Sequence, residues 1–237
     1  MMDTNLFPLW RKPGDEHQPL PGINVELLNA VLQSLDISVV WIRQPFARCL
    51  HSLGSGLVDV LNVASYSEER EKYGVYPKKG NKIDVSRRFK YDIYYAFTHK
   101  NAATDFDGKT FSQLDGRPVV VEIGASITSK LYGMGISLME HPHVGSAFKM
   151  LEKGRVSAVV TNQYNGLKYM NKNIKRLENP VQEKPYFLVF SHQFYQLHPD
   201  TVEHIWFISG QVQDHQYQSI LQKYASIPDW PESWQQH

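Results

Sequence analysis

The 237-residue chain carries 25 Lys+Arg against 24 Asp+Glu, 42% hydrophobic residues and a single cysteine, Cys49. That size suits one large domain or two small lobes, and a net charge of +1 with no basic block argues against a nucleic-acid binder, whose affinity comes mainly from neutralising phosphates. One cysteine forms neither an internal disulfide nor a Cys-rich zinc site, and no stretch approaches the roughly 18 to 20 apolar residues of a membrane helix.

GINVELLNAVLQSLD predicts the first helix, because Leu28, Val31, Leu32 and Leu35 fall at i, i+3, i+4 and i+7 on one apolar face. The β-branched run ISVVWI, Ile37 to Ile42, predicts a buried parallel strand. Phe46, Cys49, Leu50 and Leu53 return to helical spacing with Gly54 as the expected stop, and LVDVLNVA is the next strand. Such alternation of helix and strand predicts a parallel sheet.

Farther on, YDIYYAFTH (Tyr91 to His99) is an aromatic-rich strand. DFDGKTFSQLDGRPVVVEIGASITSKL is expected to form a turn, a short helix, a turn, a strand and a helix starting near Ser126. The phrase Leu53, Gly56, Val58 recurs as Leu151, Gly154, Val156, each time as helix end, glycine turn and buried strand, which suggests two similar α/β lobes. PYFLVFSH (Pro185 to His192) and YDIYYAFTH are expected to carry the chain between lobes made of residues 1–97 plus 188–237 and residues 98–187. The C-terminal part is helical: Pro199 suits a first turn, and Val202, Ile205 and Trp206 share a face, as do Tyr217, Ile220, Leu221 and Tyr224.

Signals of chemistry are weak. His141 and His143 in HPHV have no remote partners at metal-ligand spacing, and there is no G-x-S-x-G, P-loop or dinucleotide-binding fingerprint. No catalytic residue, metal or cofactor is expected. The first twenty residues hold Asp3, Arg11, Lys12, Asp15 and Glu16 and no apolar signal core, so the chain is expected to be cytosolic or to have had a leader removed.

The run PFARCLHSLGSGLVDVLNVASYSEEREKYGVYP, together with FPLW before the first helix, DGKTFSQLDGRPVVVEIGASIT, MLEKGRVSAVV and PYFLVFSH, resembles the bacterial extracellular solute-binding proteins of family 3, the polar amino-acid type. The likeness spans nearly the whole chain. It implies the α/β type II periplasmic-binding-protein fold, in which two lobes, each a mainly parallel sheet flanked by helices, are joined by two crossing strands and close on a solute. It further implies a non-enzymatic, monomeric periplasmic receptor that delivers a small polar, carboxylate-bearing solute to an inner-membrane ABC permease. Rival readings are the input domain of a membrane signalling protein and a cyclohexadienyl-dehydratase-like enzyme, for which Glu122 would be the acid.

The same resemblance nominates site residues. Arg70 in S-E-E-R-E stands where the family forks an arginine onto a ligand carboxylate; by composition alone it is an exposed arginine paired with neighbouring glutamates. Ser65 matches a hydroxyl serving the same carboxylate, with a turn serine as the alternative. Phe7 matches a stacking aromatic, Trp10 follows on its loop, and Phe46 matches a side chain of the cleft floor, each with core packing as the alternative. Ser126 is a candidate N-cap beside an anion. Asn162 occupies the place where amino-acid binders carry an aspartate for the ligand ammonium. An amide supplies no charge, which shifts the expected ligand from a zwitterionic amino acid toward a carboxylate without an amino group, a modified amino acid or a peptide. The first-lobe loop also departs from the family, with Asn62 and Val63 replacing gripping hydroxyls.

Overall fold

The computed structural model describes residues 9, 20–33 and 35–225. In chain order its elements begin with α1 (Ile23–Gln33), α2 (Phe46–Gly54), β1 (Val60–Ser65), β2 (Lys78–Lys79), β3 (Lys82–Ile83), β4 (Lys90–His99), β5 (Asp105–Phe106), β6 (Phe111–Ser112) and β7 (Val119–Glu122). They continue with α3 (Thr128–Tyr132), β8 (Leu138–His141), α4 (Val144–Glu152), β9 (Ala158–Asn162), α5 (Gln163–Leu167), β10 (Ile174–Arg176) and β11 (Gln182–Phe190). The last helices are α6 (His192–Leu197), α7 (Pro199–His215) and α8 (Tyr217–Ala225). Two compact units result, Met1–Tyr91 with Pro185–His237, and Asp92–Lys184. The divisions fall within β4 and β11, earlier in the chain than residues 97 and 187, and these strands carry the chain from one unit to the other.

In the first unit, α1 buries Leu27, Leu28, Val31 and Leu32 against Val202, Ile205 and Trp206 of α7 and Ile220 and Tyr224 of α8. Each such side chain withdrawn from water stabilises the unit by roughly 1.5 to 3 kcal/mol. The Tyr224 hydroxyl accepts from the Gly22 amide and donates to Glu26, both at 2.8 Å, which ties the start of α1 to the last helix. β1 pairs antiparallel with β11, Val60 opposite Phe190 and Ser65 opposite Tyr186. Since side chains alternate along a strand, Leu188 and Phe190 join the α1 and α7 cluster, whereas Phe187 and Val189 join Leu61 and the α2 residues Cys49 and Leu53.

One expectation for this unit is corrected. Ile37 to Ile42 is not a strand: Val40 is 88% and Ile42 50% exposed, while Val39 and Trp41 pack partly against the α1 cluster. Its composition suits a buried strand, but no described strand pairs with it. The ladder observed between β1 and β11 is antiparallel.

The second unit has a mixed sheet. β7 runs parallel to both β8 and β9, and its Val119, Val120 and Val121 are fully buried, as expected of a strand covered on both faces. β4 lies antiparallel to β9 and to β10. One face packs on Phe106, Ile127 and Leu131; on the other, Phe97 meets Phe148 of α4 edge-on at 5.6 Å. α5 crosses so near the Phe97 ring that a Cβ on Gly166 would lie 2.0 Å from it, so this position requires glycine. The expected short helix within DFDGKTFSQL is instead the β5–β6 hairpin, with Phe106 opposite Phe111 and the Asp107 carboxylate accepting from the Lys109 and Thr110 amides at 2.7 Å.

The repeated phrase has one geometry in both units. After α2, Gly56 is left-handed (φ 71°), its amide donates to Leu53 O and the Leu57 amide to Ser52 O. After α4, Gly154 is left-handed (φ 64°), with Gly154 to Leu151 O and Arg155 to Met150 O. These are two Schellman closures. Gly54, the expected stop of α2, is the helix's last residue, and Gly56 makes the turn.

Candidate functional site

In the first unit, three of the nominated residues come together. Ser65 ends β1 and is fully buried; five residues on, the 3-10 turn Glu68–Arg70 returns the Arg70 guanidinium to it. Arg70 Nη1 donates to the Ser65 carbonyl at 2.8 Å and to its hydroxyl at 2.9 Å, and the guanidinium carbon stands 5.2 Å from the centre of the Phe46 ring. Ser65 therefore positions the arginine, and Phe46 is its platform. Glu71 is held by Lys78 and the Tyr66 hydroxyl, each at 2.6 Å.

Tyr76, which the sequence does not single out, donates its hydroxyl to the Ser65 carbonyl at 3.2 Å. Burial pushes its phenol up to about 12, against the opposing pull of Arg70, so it stays a neutral donor. The Tyr66 phenol is also raised to about 12, chiefly by its hydrogen bond to Glu71. A buried tyrosine and a capped arginine thus converge on one carbonyl. Phe7 and Trp10 lie outside the described residues.

In the second unit, Ser126 and Asn162 stand just beyond or at the C-terminal ends of the parallel strands β7 and β9. Ser126 is not a helix cap: α3 starts at Thr128 with Ile127 as its cap, because the turn after Glu122 takes up the intervening residues. The Ser126 carbonyl accepts from Lys184 Nζ at 2.8 Å, while its hydroxyl oxygen is buried with no hydrogen-bond partner among the described residues. Asn162 caps α5, its Oδ1 accepting from the Asn165 amide at 2.9 Å and its Nδ2 donating to the Asp92 carboxylate at 3.4 Å. Gln163 Oε1 is likewise buried without a partner among the described residues. Buried polar atoms are nearly always satisfied, and open α/β sheets bind ligands at strand C-terminal ends.

Glu122, at the end of β7, has its carboxyl raised above the ordinary value of 4.5 by burial, an effect that His143 opposes. The folded state thus holds this proton more tightly than the unfolded chain. Its stabilising contribution is complete below the unfolded value and is lost as pH rises through the raised one. Glu122→Gln is therefore expected to be more stable than the parent at neutral pH and to flatten the pH profile. Melting curves from about pH 4 to about pH 8 check this; a variant less stable than the parent at neutral pH would contradict it. Among the described residues, no three His, Cys, Asp or Glu side chains are placed to hold a metal, and no helix is long and apolar enough to cross a membrane.

No protein-family model matches the chain and no curated protein matches it. Solved structures do. An ancestral arginine-binding protein bound to glutamine superposes with a TM-score of 0.69 at 21% identity, covering 94% of this chain and 95% of that one. The fold is that of the type II periplasmic binding proteins. The same fold is found in the GluR0 ligand-binding core from Nostoc punctiforme in complex with L-glutamate (TM-score 0.66, 16% identity, covering 92% of this chain and 94% of that one). It is found again in a histidine kinase sensor domain with similarity to periplasmic binding proteins (0.67, 19%, 93% and 92%). Within this type II fold, the Ser65–Arg70 loop and the ends of β7 and β9 are the polar features described above.

Proposed function

We propose that the chain is a non-enzymatic receptor for a small polar solute bearing a carboxylate, anchored by Arg70. The observation that carries this reading is the guanidinium itself, fixed by Ser65 and lying on Phe46. A planar fork held in place loses little freedom on meeting a carboxylate and offers it parallel charge-assisted hydrogen bonds. Glutamine and glutamate, the ligands named for two of the similar structures, both carry such a group. Ser65 and Phe46 serve as its support, and Phe7 and Trp10 as aromatic contacts. In the second unit, the unpartnered Ser126 hydroxyl and the Asn162 side chain offer polar contacts. Because Asn162 is neutral and already bonded to Asn165 and Asp92, residue 162 supplies no charge for an ammonium group. The solute is then a carboxylate without an α-amino group, a modified amino acid or a peptide. The receptor works in the periplasm and hands its solute to an ABC permease.

A thermal-shift screen of carboxylates, amino acids, short peptides, polyamines and sugars tests this reading. A ligand at about 100 times its Kd adds about 2.7 kcal/mol of stability, which for a chain of this size raises the midpoint by about 5 to 10 °C. Shifts confined to ligands without a carboxylate would sink the proposal. The likeness to the histidine kinase sensor domain favours a second reading, a sensor input reporting the same solute to a membrane kinase. Stimulation of permease ATP hydrolysis by the loaded chain separates the importer from the sensor.

A further inference from the structure

Arg176 repeats in the second unit an arrangement that Arg70 has in the first, a guanidinium seated on an aromatic ring. It stands on β10 opposite Phe97 of β4, and its guanidinium carbon lies 4.3 Å from the centre of the Tyr95 ring. Tyr95 is 5% exposed and pairs with Thr161 of β9, so this platform is fixed within the sheet. Arg70 has acceptors in Ser65, whereas Arg176 Nη1 is buried with no hydrogen-bond partner among the described residues. None of the ion pairs among the described residues includes Arg176. A guanidinium cannot shed its proton to escape burial, so an unmet N–H there costs stability until an acceptor arrives. The Tyr95 face attracts the cation and leaves the in-plane N–H groups to other partners. The local chain adds positive field and no counter-charge: from Lys153 to Leu177 it carries Lys153, Arg155, Lys168, Lys172, Lys175 and Arg176, and neither Asp nor Glu.

We propose that Arg176 anchors a second oxyanion site, carried by the second unit, which takes a carboxylate or phosphate group. The fork is already oriented by its ring, and an oxyanion supplies the acceptor that the buried Nη1 lacks through a charge-assisted hydrogen bond. Arg176 as a whole is half-buried, which leaves the side chain within reach of solvent. The oxyanion is either free or a second acidic group of the solute, and the two sources share this chemistry. Because Arg176 belongs to the Asp92–Lys184 unit and Arg70 to the other, the two anchors are tested separately, and failure at Arg176 leaves the reading of Arg70 standing.

Two probes test it at constant ionic strength, with calorimetry and melting midpoints as readouts. Inorganic phosphate is titrated into the Arg70→Ala chain, so that the first arginine takes no part, with and without Arg176→Met. Linear dicarboxylates and their monocarboxylate analogues are titrated into the chain with Arg70 intact, again with and without Arg176→Met. Arg176→Met is expected to weaken phosphate binding, or to abolish a preference for the dicarboxylate, by about tenfold or more. An effect on phosphate alone assigns the site to a free anion; an effect on the dicarboxylate preference assigns it to an acidic group of the solute. In chloride buffer without either probe, Arg176→Met is expected to melt no lower than the parent, because methionine keeps an apolar stem on Tyr95 and removes an unpaired charge. Loss of neither phosphate affinity nor dicarboxylate preference on replacing Arg176 would overturn the proposal. A clearly lower midpoint in chloride would show the guanidinium to be satisfied already, and would overturn it equally.

Discussion

Arg70→Ala is expected to weaken binding of a carboxylate solute by about 100-fold or more, the scale of losing a hydrogen-bonded charge partner in a desolvated site. Arg70→Lys is expected to recover little of it, because an ammonium cannot present two parallel donors in the fixed fork of the guanidinium that stands over the Phe46 ring. Ser65→Ala removes one acceptor of the guanidinium and leaves the Ser65 carbonyl to hold it, so its loss of affinity should be smaller. Isothermal titration on the three variants reads this ranking. The alanine variant also loses the bonds to Ser65, at a cost of about 1 kcal/mol of stability; melting curves without ligand separate that effect from binding. Affinity undiminished in Arg70→Ala would remove the arginine from the site altogether.

The largest effect on stability is expected at Trp206, 1% exposed at the centre of the first unit. Its ring meets Phe190 edge-on at 5.6 Å and Tyr195 at 5.8 Å, and its indole N–H donates to the Leu188 carbonyl at 2.8 Å. Trp206→Ala leaves a cavity under β11 and an unpaired carbonyl, a loss of about 3 to 5 kcal/mol. Trp206→Phe keeps most of the ring and strands only the carbonyl, costing about 1 to 3 kcal/mol. Urea unfolding followed by circular dichroism measures both. Equal losses in the two variants would assign the whole effect to the hydrogen bond.

Elements held by their own apolar spacing were legible in the sequence. α1, α2 and α7 announce themselves through i, i+3, i+4 positions that the structure buries, and the glycine phrase at 56 and 154 identifies two matching helix-to-strand turns. Ile37 to Ile42 misled because composition records what a strand would prefer to bury and says nothing of whether a neighbour is there to pair with. The β5–β6 hairpin had a usable signal, Asp107-Gly108 flanked by Phe106 and Phe111, which a helical reading of TFSQL overrode. At the candidate site, Arg70 and Ser65 were accessible because five residues of one loop join them. The share of Tyr76 in holding Ser65 and the raised carboxyl of Glu122 arise from burial contributed by distant segments, and no local pattern encodes them.

The two units also differ in when they can be assembled. The second is one continuous stretch, Asp92–Lys184, whose strands β7, β8 and β9 follow one another with single short helices between them. The first is discontinuous, and its β1 must wait for β11, with Val60 meeting Phe190 across more than half the chain. Long-range pairing of this kind is slow, and domains form as they emerge during synthesis. The second unit is therefore complete while α1 still lacks α7 and α8, and Leu27, Leu28 and Val31 remain open to water and to one another. Those three leucine and valine side chains lose contact with water only once the C-terminal helices have been made.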